Sequence, residues 1–293
     1  MTELVAVLVS RRVAPGLLTA EAWDALRAAS AVAFHPSAAP HVPALRAAGL
    51  AVEESVDAPG DGAWVVDGEV AAAVPDGSAV VVGAVELPGS RLLDLVALMD
   101  RLRSPGGCPW DAEQTHESLV QYLVEETYEV IEAIEQGSAT DLREELGDLL
   151  LQVVFHARIA EERTEEERFG IDEVATGITD KLVRRHPHVF AGTPSDAHTE
   201  RGWDAIKRQE KGRASAVDGV PMGQPALALA AKVLGRVDRA GLDVPVQGDD
   251  PGDDLLRTVA RLRADGVDPE ATLRAAVRRY AATVRSAEGA SGP

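Results

Sequence analysis

The amino-acid sequence predicts a mainly α-helical protein with a small α/β region at its N-terminus. Up to about residue 88, short runs rich in β-branched residues, such as LVAVLV, alternate with the helical segment TAEAWDALRAAS. From Ser90 onward, apolar residues recur with the 3.6-residue period of an amphipathic helix for most of the chain. The dipeptide Pro88-Gly89 therefore marks the predicted boundary between the two parts.

The individual strands and helices are predicted from the local pattern of apolar, capping and turn residues. Strands are predicted at 4–9, 31–34, 63–66 and 79–87. Helices are predicted at about 90–103, 115–136, 141–163, 171–185, 200–211, 225–240 and 251–285, the last broken near Gly266. Gly137 ends the second of these helices, and Ser138 or Thr140 can cap the third. The short turn between them predicts an antiparallel helical hairpin.

Composition argues against several classes of protein. No apolar run approaches the ~20 residues that span a bilayer, so no membrane contact is expected. The start MTELVAVLVSRRV lacks a basic leader and a small-residue cleavage site. Cys108 is the single cysteine, so the expected compartment is the reducing cytoplasm. The net charge of −19 opposes nucleic-acid binding, which needs a basic surface.

The charge is distributed unevenly along the chain. Residues 111–168 contain 17 acidic and 4 basic residues, whereas residues 181–213 contain 8 basic and 4 acidic residues. An acidic helical block followed by a basic segment suits a metal cation and an anion that meet in one site. Solvated helix faces of different sign explain the same distribution.

Two pairs of acids fall on helix stripes that should face a core. Glu126 and Glu129 lie on the stripe of one helix, and Glu145 and Asp148 lie on the stripe of the next. Antiparallel packing of the two helices places one pair opposite the other. The other members of the stripes are Leu119, Leu123, Val130, Ala133 and Ile134 on the first helix, and Leu142, Leu149, Gln152, Val153 and His156 on the second.

Facing carboxylates need compensation, because two charges ~4 Å apart repel by about 4 kcal/mol at an effective dielectric of 20. Raised pKa values, a pairing Arg or Lys, or a bound cation can provide it. No Arg or Lys lies on these stripes, since Arg143 is off the inward face. Oxygen ligands favour Mg²⁺ first and Mn²⁺ second. A di-iron carboxylate site fits poorly, because it requires Glu-x-x-His pairs.

The pattern Glu125-Glu126-x-x-Glu129 followed by Glu145-x-x-Asp148 resembles the signature of the MazG family of nucleoside triphosphate pyrophosphohydrolases. The resemblance covers about residues 90–240. Further segments are similar to successive MazG blocks: GGCPWDAEQTHESL at 106–119, LVEETYEVIEAI at 123–134, LREELGDLLLQVVFHARIA at 142–160, DKLVRRHPHVF at 180–190 and GWDAIKRQEK at 202–211.

The resemblance implies an all-α helical bundle that forms a dimer and uses Mg²⁺ to cleave nucleoside triphosphates to monophosphate and pyrophosphate. It implies a role in clearing non-standard nucleotides from the pool. It also implies roles for particular residues. The metal ligands would be Glu126, Glu129, Glu145 and Asp148.

Other residues in the matching blocks would act on the substrate and on water. Glu125 would support the metal ligands or orient the attacking water, and the sequence does not separate these roles. Lys181 and Arg185, one helical turn apart, would face the phosphates; a basic helix C-terminus explains them equally well. Trp203 would stack on the base and Lys207 would reach a phosphate; a core tryptophan is the simpler reading of Trp203.

The two ends of the chain depart from the family pattern. Residues 1–88 are similar to the opening of tetrapyrrole methylases, but Ser10-Arg11-Arg12-Val13 replaces the glycine-rich turn, so this region is interpreted as a degenerate remnant without methyltransferase activity. The catalytic helical domain is assigned to 89–219. Residues 220–293 resemble a shortened second MazG unit that lacks the acidic helix and is expected to be non-catalytic.

Two alternatives to this function stay open at the level of sequence. One is a sister activity on the same scaffold, such as dUTP or phosphoribosyl-ATP pyrophosphohydrolysis. The other is a non-enzymatic helical module that binds a nucleotide or a partner protein. The four inward acids weigh against such a module, because it has no need of a cluster of unneutralised carboxylates.

Overall fold

The computed structural model describes residues 4–192 and 214–290. The chain divides into two compact units, Met1–Ala175 and Thr176–Pro293. The predicted division into 1–88, 89–219 and 220–293 is not tested by this and stays a prediction. Among the described residues, no helix combines the length and the apolar character needed to cross a bilayer.

The N-terminal part is a five-stranded, wholly parallel sheet with the strand order β3-β2-β4-β1-β5. The elements are β1 (Val5–Val9), α1 (Ala20–Ala28), β2 (Val32–Phe34), α2 (Val42–Ala47), β3 (Val52–Glu54), β4 (Ala63–Asp67) and β5 (Ala79–Val82), with 3₁₀ helices at Pro36–His41 and Gly68–Ala73. Four strands agree with the predicted runs, although β5 is shorter than predicted. The third strand was missed because three residues, two of them glutamates, give no β signal.

The central strand β4 is buried along its whole length and divides the core of the sheet. Its side chains alternate between the two faces, as a strand requires. Val65 packs with α1 and α2 in one apolar cluster, while Trp64 and Val66 join Leu4 in a second cluster. Burial on both faces is typical of parallel strands and explains the unbroken AWVV run.

A group of charged residues lies after the C-terminal ends of β1 and β4 and is here called the Arg12 cluster: Arg12, Glu69, Glu86 and Asp94. The Arg12 side chain is 1% exposed and donates hydrogen bonds to all three carboxylates. Its Nη1 lies 2.7 Å from Glu86 Oε1. Asp94 belongs to the long helix that follows the sheet. The turn that contains Arg12, which occupies the place of the expected glycine-rich loop, therefore ties the sheet to the helical part.

Four helices complete the described part of the first unit: α3 (Leu92–Arg103), α4 (Pro109–Glu113), α5 (Val120–Gln136) and α6 (Ala139–Ala160). The hairpin between α5 and α6 agrees with the sequence. Gly137 ends α5 at φ 74°, and the Ser138 hydroxyl accepts a hydrogen bond from the Asp141 amide to cap α6. The predicted start of α5 at residue 115 was wrong, because Thr115 and Ser118 bond to each other in a turn.

The helical core lies beneath one end of this hairpin. Met99 from α3 packs with Leu119, Val154, Phe155 and Ile159. Arg103 fastens the α4 segment to this core, since its buried guanidinium donates to the Asp111 carbonyl and pairs with Glu162 at 2.8 Å. The apolar residues of α6 are therefore anchored on α3 near its C-terminal end.

The remaining described helices are α7 (Ile171–Arg185), α8 (Pro187–Phe190), α9 (Ala226–Arg239), α10 (Pro251–Ala264) and α11 (Pro269–Ala290). The predicted break near Gly266 is confirmed, since α10 and α11 are separate. Asp250 begins α10 with a reciprocal capping box that includes Asp253. The helix predicted at 200–211 lies outside the described residues.

Candidate metal centre

The hairpin register brings the predicted acids together. Two contacts fix how α5 and α6 are aligned. Near the turn, Glu129 of α5 lies beside Glu145 of α6. Near the other end, His116, just before α5, stacks on His156 of α6 with ring centroids 5.1 Å apart. Because both contacts lie on one side of the hairpin, the side chains between them on these faces must also meet across the two helices.

The acidic cluster is the name used here for Glu126, Glu129, Glu145 and Asp148. Carboxylate oxygens of Glu126, Glu129 and Glu145 all lie within 4.8 Å of one another. That group of three does not include Asp148, although its charge acts on the pKa of both Glu126 and Glu145. Glu129 is exposed and the other three are partly buried, so the cluster opens to solvent on one side.

Electrostatics confirm that the carboxylates are uncompensated. Partial burial, a hydrogen bond with Glu129, and then the charges of Asp148, Glu129 and Glu145 raise the pKa of Glu126 to about 7. Burial and the charges of Glu129 and Asp148 also raise the pKa of Glu145. Among the described residues, no Arg or Lys forms an ion pair with these acids within 4.0 Å. A cation that binds here would therefore displace the proton that Glu126 retains near neutral pH.

These residues fit a divalent metal ion. Three oxygen donors from two helices converge, and a fourth carboxylate lies close enough to influence their protonation. All-oxygen donor sets suit hard cations such as Mg²⁺ or Mn²⁺. The opening at Glu129 leaves room for non-protein ligands, which Mg²⁺ normally keeps.

Residues 114–190, which contain the whole acidic cluster, match the model of the MazG nucleotide pyrophosphohydrolase domain. An uncharacterised 26.1 kDa protein of Streptomyces cacaoi is 51% identical over 71% of this chain and 86% of its own length. The nucleoside triphosphate pyrophosphohydrolase/pyrophosphatase MazG of Thermotoga maritima is 40% identical over 64% of this chain and 81% of its own length. The chain belongs to the MazG family.

A further MazG relative extends the comparison to a mycobacterial enzyme. The nucleoside triphosphate pyrophosphohydrolase of Mycolicibacterium smegmatis is 49% identical over 69% of this chain. The match spans 61% of that protein's length, so this chain corresponds to only part of it. The similarity to a tetrapyrrole methylase predicted for residues 1–88 stays a prediction.

The remaining predicted MazG site residues lie in different environments. Glu125 is exposed on α5. Lys181 is partly buried on α7, and Arg185 is buried with a partner at the end of that helix. Trp203 and Lys207 lie outside the described residues. The roles assigned to these five residues therefore stay predictions.

Two stripe residues were wrongly placed by the sequence analysis of the MazG helices. Ile134 is 59% exposed and Val153 is 39% exposed, so neither faces the core of the hairpin. Each lies on the edge of a stripe that the acids and their neighbours already fill. The surfaces through which α5 and α6 face each other are therefore narrower than the predicted stripes. They are centred on Glu126 in α5 and on Gln152 in α6.

The sequence analysis assigned no role to the polar residues on this side of the MazG hairpin. His116 and His156 form a pair with Nδ1 atoms 2.8 Å apart, and burial and then His116 lower the pKa of His156. Gln152 is 5% exposed on the same face of α6. The sequence could have indicated a role for Gln152 from its position alone. A glutamine on a stripe otherwise made of core residues and metal ligands is expected to make a specific hydrogen bond.

Proposed function

We propose that this protein hydrolyses nucleoside triphosphates to nucleoside monophosphate and pyrophosphate in a Mg²⁺-dependent reaction, with Mn²⁺ as a substitute. The observation that carries the proposal is the group of three carboxylates within 4.8 Å, which has no cationic partner among the described residues and has a raised pKa at Glu126. Relatives named as nucleoside triphosphate pyrophosphohydrolases, 46–49% identical to this chain, support a hydrolase of this class.

The acidic cluster would hold the metal. A bound Mg²⁺ supplies positive charge against the triphosphate oxygens and the developing pyrophosphate. Glu126 and Glu145, whose pKa values are raised, would lose their protons on becoming ligands, because ionised carboxylates are the species that bind a cation. Glu129, the most exposed member, faces the side from which substrate enters.

Water is the nucleophile in this proposal. Its oxygen forms a bond to the α-phosphorus, the bond from that phosphorus to the bridging oxygen of the β-phosphate breaks, and a carboxylate accepts the water proton. Glu125 is assigned to orienting this water, since it is adjacent to Glu126 and remains exposed. Lys181, Arg185 and Lys207 are assigned to the leaving phosphates, and Trp203 to the base.

A homodimer is part of the proposal. The outer faces of α5 and α6 carry large exposed apolar side chains, which a second copy of the chain would cover. They are Val120, Val124, Tyr128, Ile134, Leu146, Leu150 and Val153, each at least 39% exposed. Clearing of non-standard nucleotides and a cytoplasmic location belong to the same proposal.

Pyrophosphate release tests this function. The native protein is incubated with a panel of nucleoside and deoxynucleoside triphosphates and Mg²⁺, alongside Glu126→Gln and Asp148→Asn. Both variants should lose turnover by roughly 10³-fold or more, because each removes a metal ligand charge. Glu135→Gln, a change at an exposed acid on the face of α5 opposite Glu126, is the matched control and should retain activity.

Three other results of the pyrophosphate assay would contradict or change the proposed function. Orthophosphate in place of pyrophosphate would show that the bond cleaved is not the one between the α- and β-phosphates. Strong preference for dUTP or phosphoribosyl-ATP would favour the sister activities. Nucleotide binding without turnover in Mg²⁺ or Mn²⁺ would reject the enzyme in favour of a binding module.

A further inference from the structure

Gln152 is a buried polar residue beside the acidic cluster. It lies on α6 one helical turn beyond Asp148 and two turns beyond Glu145, so all three occupy the same face. Its side chain is 5% exposed, and among the described residues its Oε1 atom has no hydrogen-bond partner. A buried acceptor without a donor is rare in folded proteins and calls for a missing partner.

The helix register places Gln152 at the boundary between the acids and the apolar core. On α5, Tyr122 lies one turn before Glu126 on the same face, just as Gln152 lies one turn beyond Asp148. One turn further still, Leu119 and Phe155 share the buried apolar cluster. Gln152 therefore closes the base of the site, where the last polar layer meets the core.

Neighbouring side chains do not satisfy this acceptor. His156, one turn further along α6, also has a buried atom without a partner, Nε2, while its Nδ1 bonds to His116. The two orphaned atoms are not bonded to each other in the structure. The donor to Gln152 must therefore come from outside the described protein atoms.

We infer that Gln152 is a positioning residue of the metal centre, whose Oε1 accepts a hydrogen bond from a water molecule kept by the bound ion. The inference rests on the proposed function for its metal. Mg²⁺ usually keeps several waters, and each brings protons that need acceptors. An amide suits this position because it accepts the hydrogen bond without adding a fifth negative charge where repulsion is already strong.

Mn²⁺ binding to the full chain without nucleotide tests the inference. Free Mn²⁺ is counted by electron paramagnetic resonance for native protein and for Gln152→Met, which keeps the side-chain length and removes the acceptor. The expected affinity loss is about 10- to 100-fold. Gln152→Glu keeps an oxygen at this position and should bind Mn²⁺ within a few-fold of native. Gln136→Met, the same change at an exposed glutamine, should bind like native.

Thermal unfolding without metal separates this role from a purely structural one. Because Gln152→Met removes an unsatisfied buried acceptor, its melting temperature should equal or exceed that of native protein. Native affinity for Mn²⁺ in Gln152→Met would overturn the inference and leave an internal water shared with His156 as the partner. A large affinity loss in Gln152→Glu would overturn it as well.

A measurement on the native chain covers the case in which the variants do not fold. The side-chain amide NMR signals of Gln152 should shift on addition of Mg²⁺, and an unmoved signal at saturating Mg²⁺ would reject the contact. Failure of the proposed function can be told apart from failure of the inference about Gln152. Native protein that binds Mn²⁺ but releases no pyrophosphate would reject the hydrolysis and leave the role of Gln152 standing.

Discussion

The Arg12 cluster and the acidic cluster solve the same problem in opposite ways. In the first, three carboxylates surround one buried guanidinium, which lowers the pKa of Glu69 and Asp94. The pKa of Glu86 is lowered by a hydrogen bond from Ser10 and then by the same guanidinium. In the second, four carboxylates lie together with no cationic side chain paired to them in the described part of the chain, and the pKa of Glu126 rises to about 7. Acids neutralised by the protein stabilise its fold, whereas acids left unneutralised are available to an external cation.

Supplying the acidic cluster with its own cation should produce the largest effect. Glu145→Lys places an ammonium between Glu129 and Asp148, two acids whose charges raise the pKa of the native Glu145. We expect the metal-free melting temperature to rise, because repulsion becomes attraction. Pyrophosphate release should fall by roughly 10³-fold or more, because the ammonium excludes the metal.

The Lys variant is compared with Glu135→Lys, the same change at an exposed acid on the face of α5 opposite Glu126. Melting curves and Mn²⁺ titrations are recorded for both. Glu135→Lys should keep Mn²⁺ binding. Retained metal binding in Glu145→Lys would mean that the acidic cluster is not the metal centre.

The two clusters also differ in how far sequence alone could reveal them. The acids of α5 and α6 are spaced three apart on adjacent helices, so helical periodicity and a short turn sufficed to predict that they meet. The contacts of Arg12 join residues up to 82 positions apart, from Arg12 to Asp94, and no local period encodes them. The sequence showed only that two arginines replace an expected glycine-rich turn.

Gln152 illustrates a third case, in which the position was visible and its meaning was not. The sequence placed it on the inward stripe of α6, but a stripe does not show which polar atoms find partners. That information depends on side chains from other segments, such as His116, which reaches His156 across 40 residues. The strand β3 was missed for a simpler reason, since its pairing with β2 stabilises three residues that have no strand pattern of their own.

Removing the cation from the Arg12 cluster should have the next largest effect, and on stability rather than on metal binding. Arg12→Met leaves three carboxylates close together after the loss of their common partner, and removing one member of a buried ion pair is strongly destabilising. We expect the melting temperature to fall by about 5 °C or more. The Mn²⁺ affinity of the folded variant should stay at the native value, because the acidic cluster is untouched.

Arg27→Met is the control for Arg12→Met, since Arg27 is an exposed arginine on α1 whose ion pair with Asp24 is at the surface. Its melting temperature should change little. An equal loss in both variants would mean that the Arg12 cluster does not hold the sheet to α3. A loss of Mn²⁺ binding in folded Arg12→Met would mean that the two clusters are coupled.

The smallest effect is a difference in pH dependence. Lowered pKa values in the Arg12 cluster give stability that is present above pH about 4.5 and is lost as the pH falls through the lowered values. The raised pKa of Glu126 acts in the other direction, because stability present below pH 4.5 is lost as the pH rises towards about 7. Metal-free protein should therefore be most stable near pH 4.5, where the first contribution is present and the second is not yet lost.

Melting temperatures at pH 5.5 and 7.5, with and without Mg²⁺, separate the two contributions. Native metal-free protein should melt a few degrees higher at pH 5.5 than at pH 7.5. Glu126→Gln should reduce this difference, because it removes the group that releases its proton in that range. Saturating Mg²⁺ should reverse the difference in native protein, since ionised carboxylates bind the ion and protonated ones do not. An unchanged difference in Glu126→Gln would assign the pH dependence to other groups and leave the acidic cluster without the electrostatic strain that makes it a cation site.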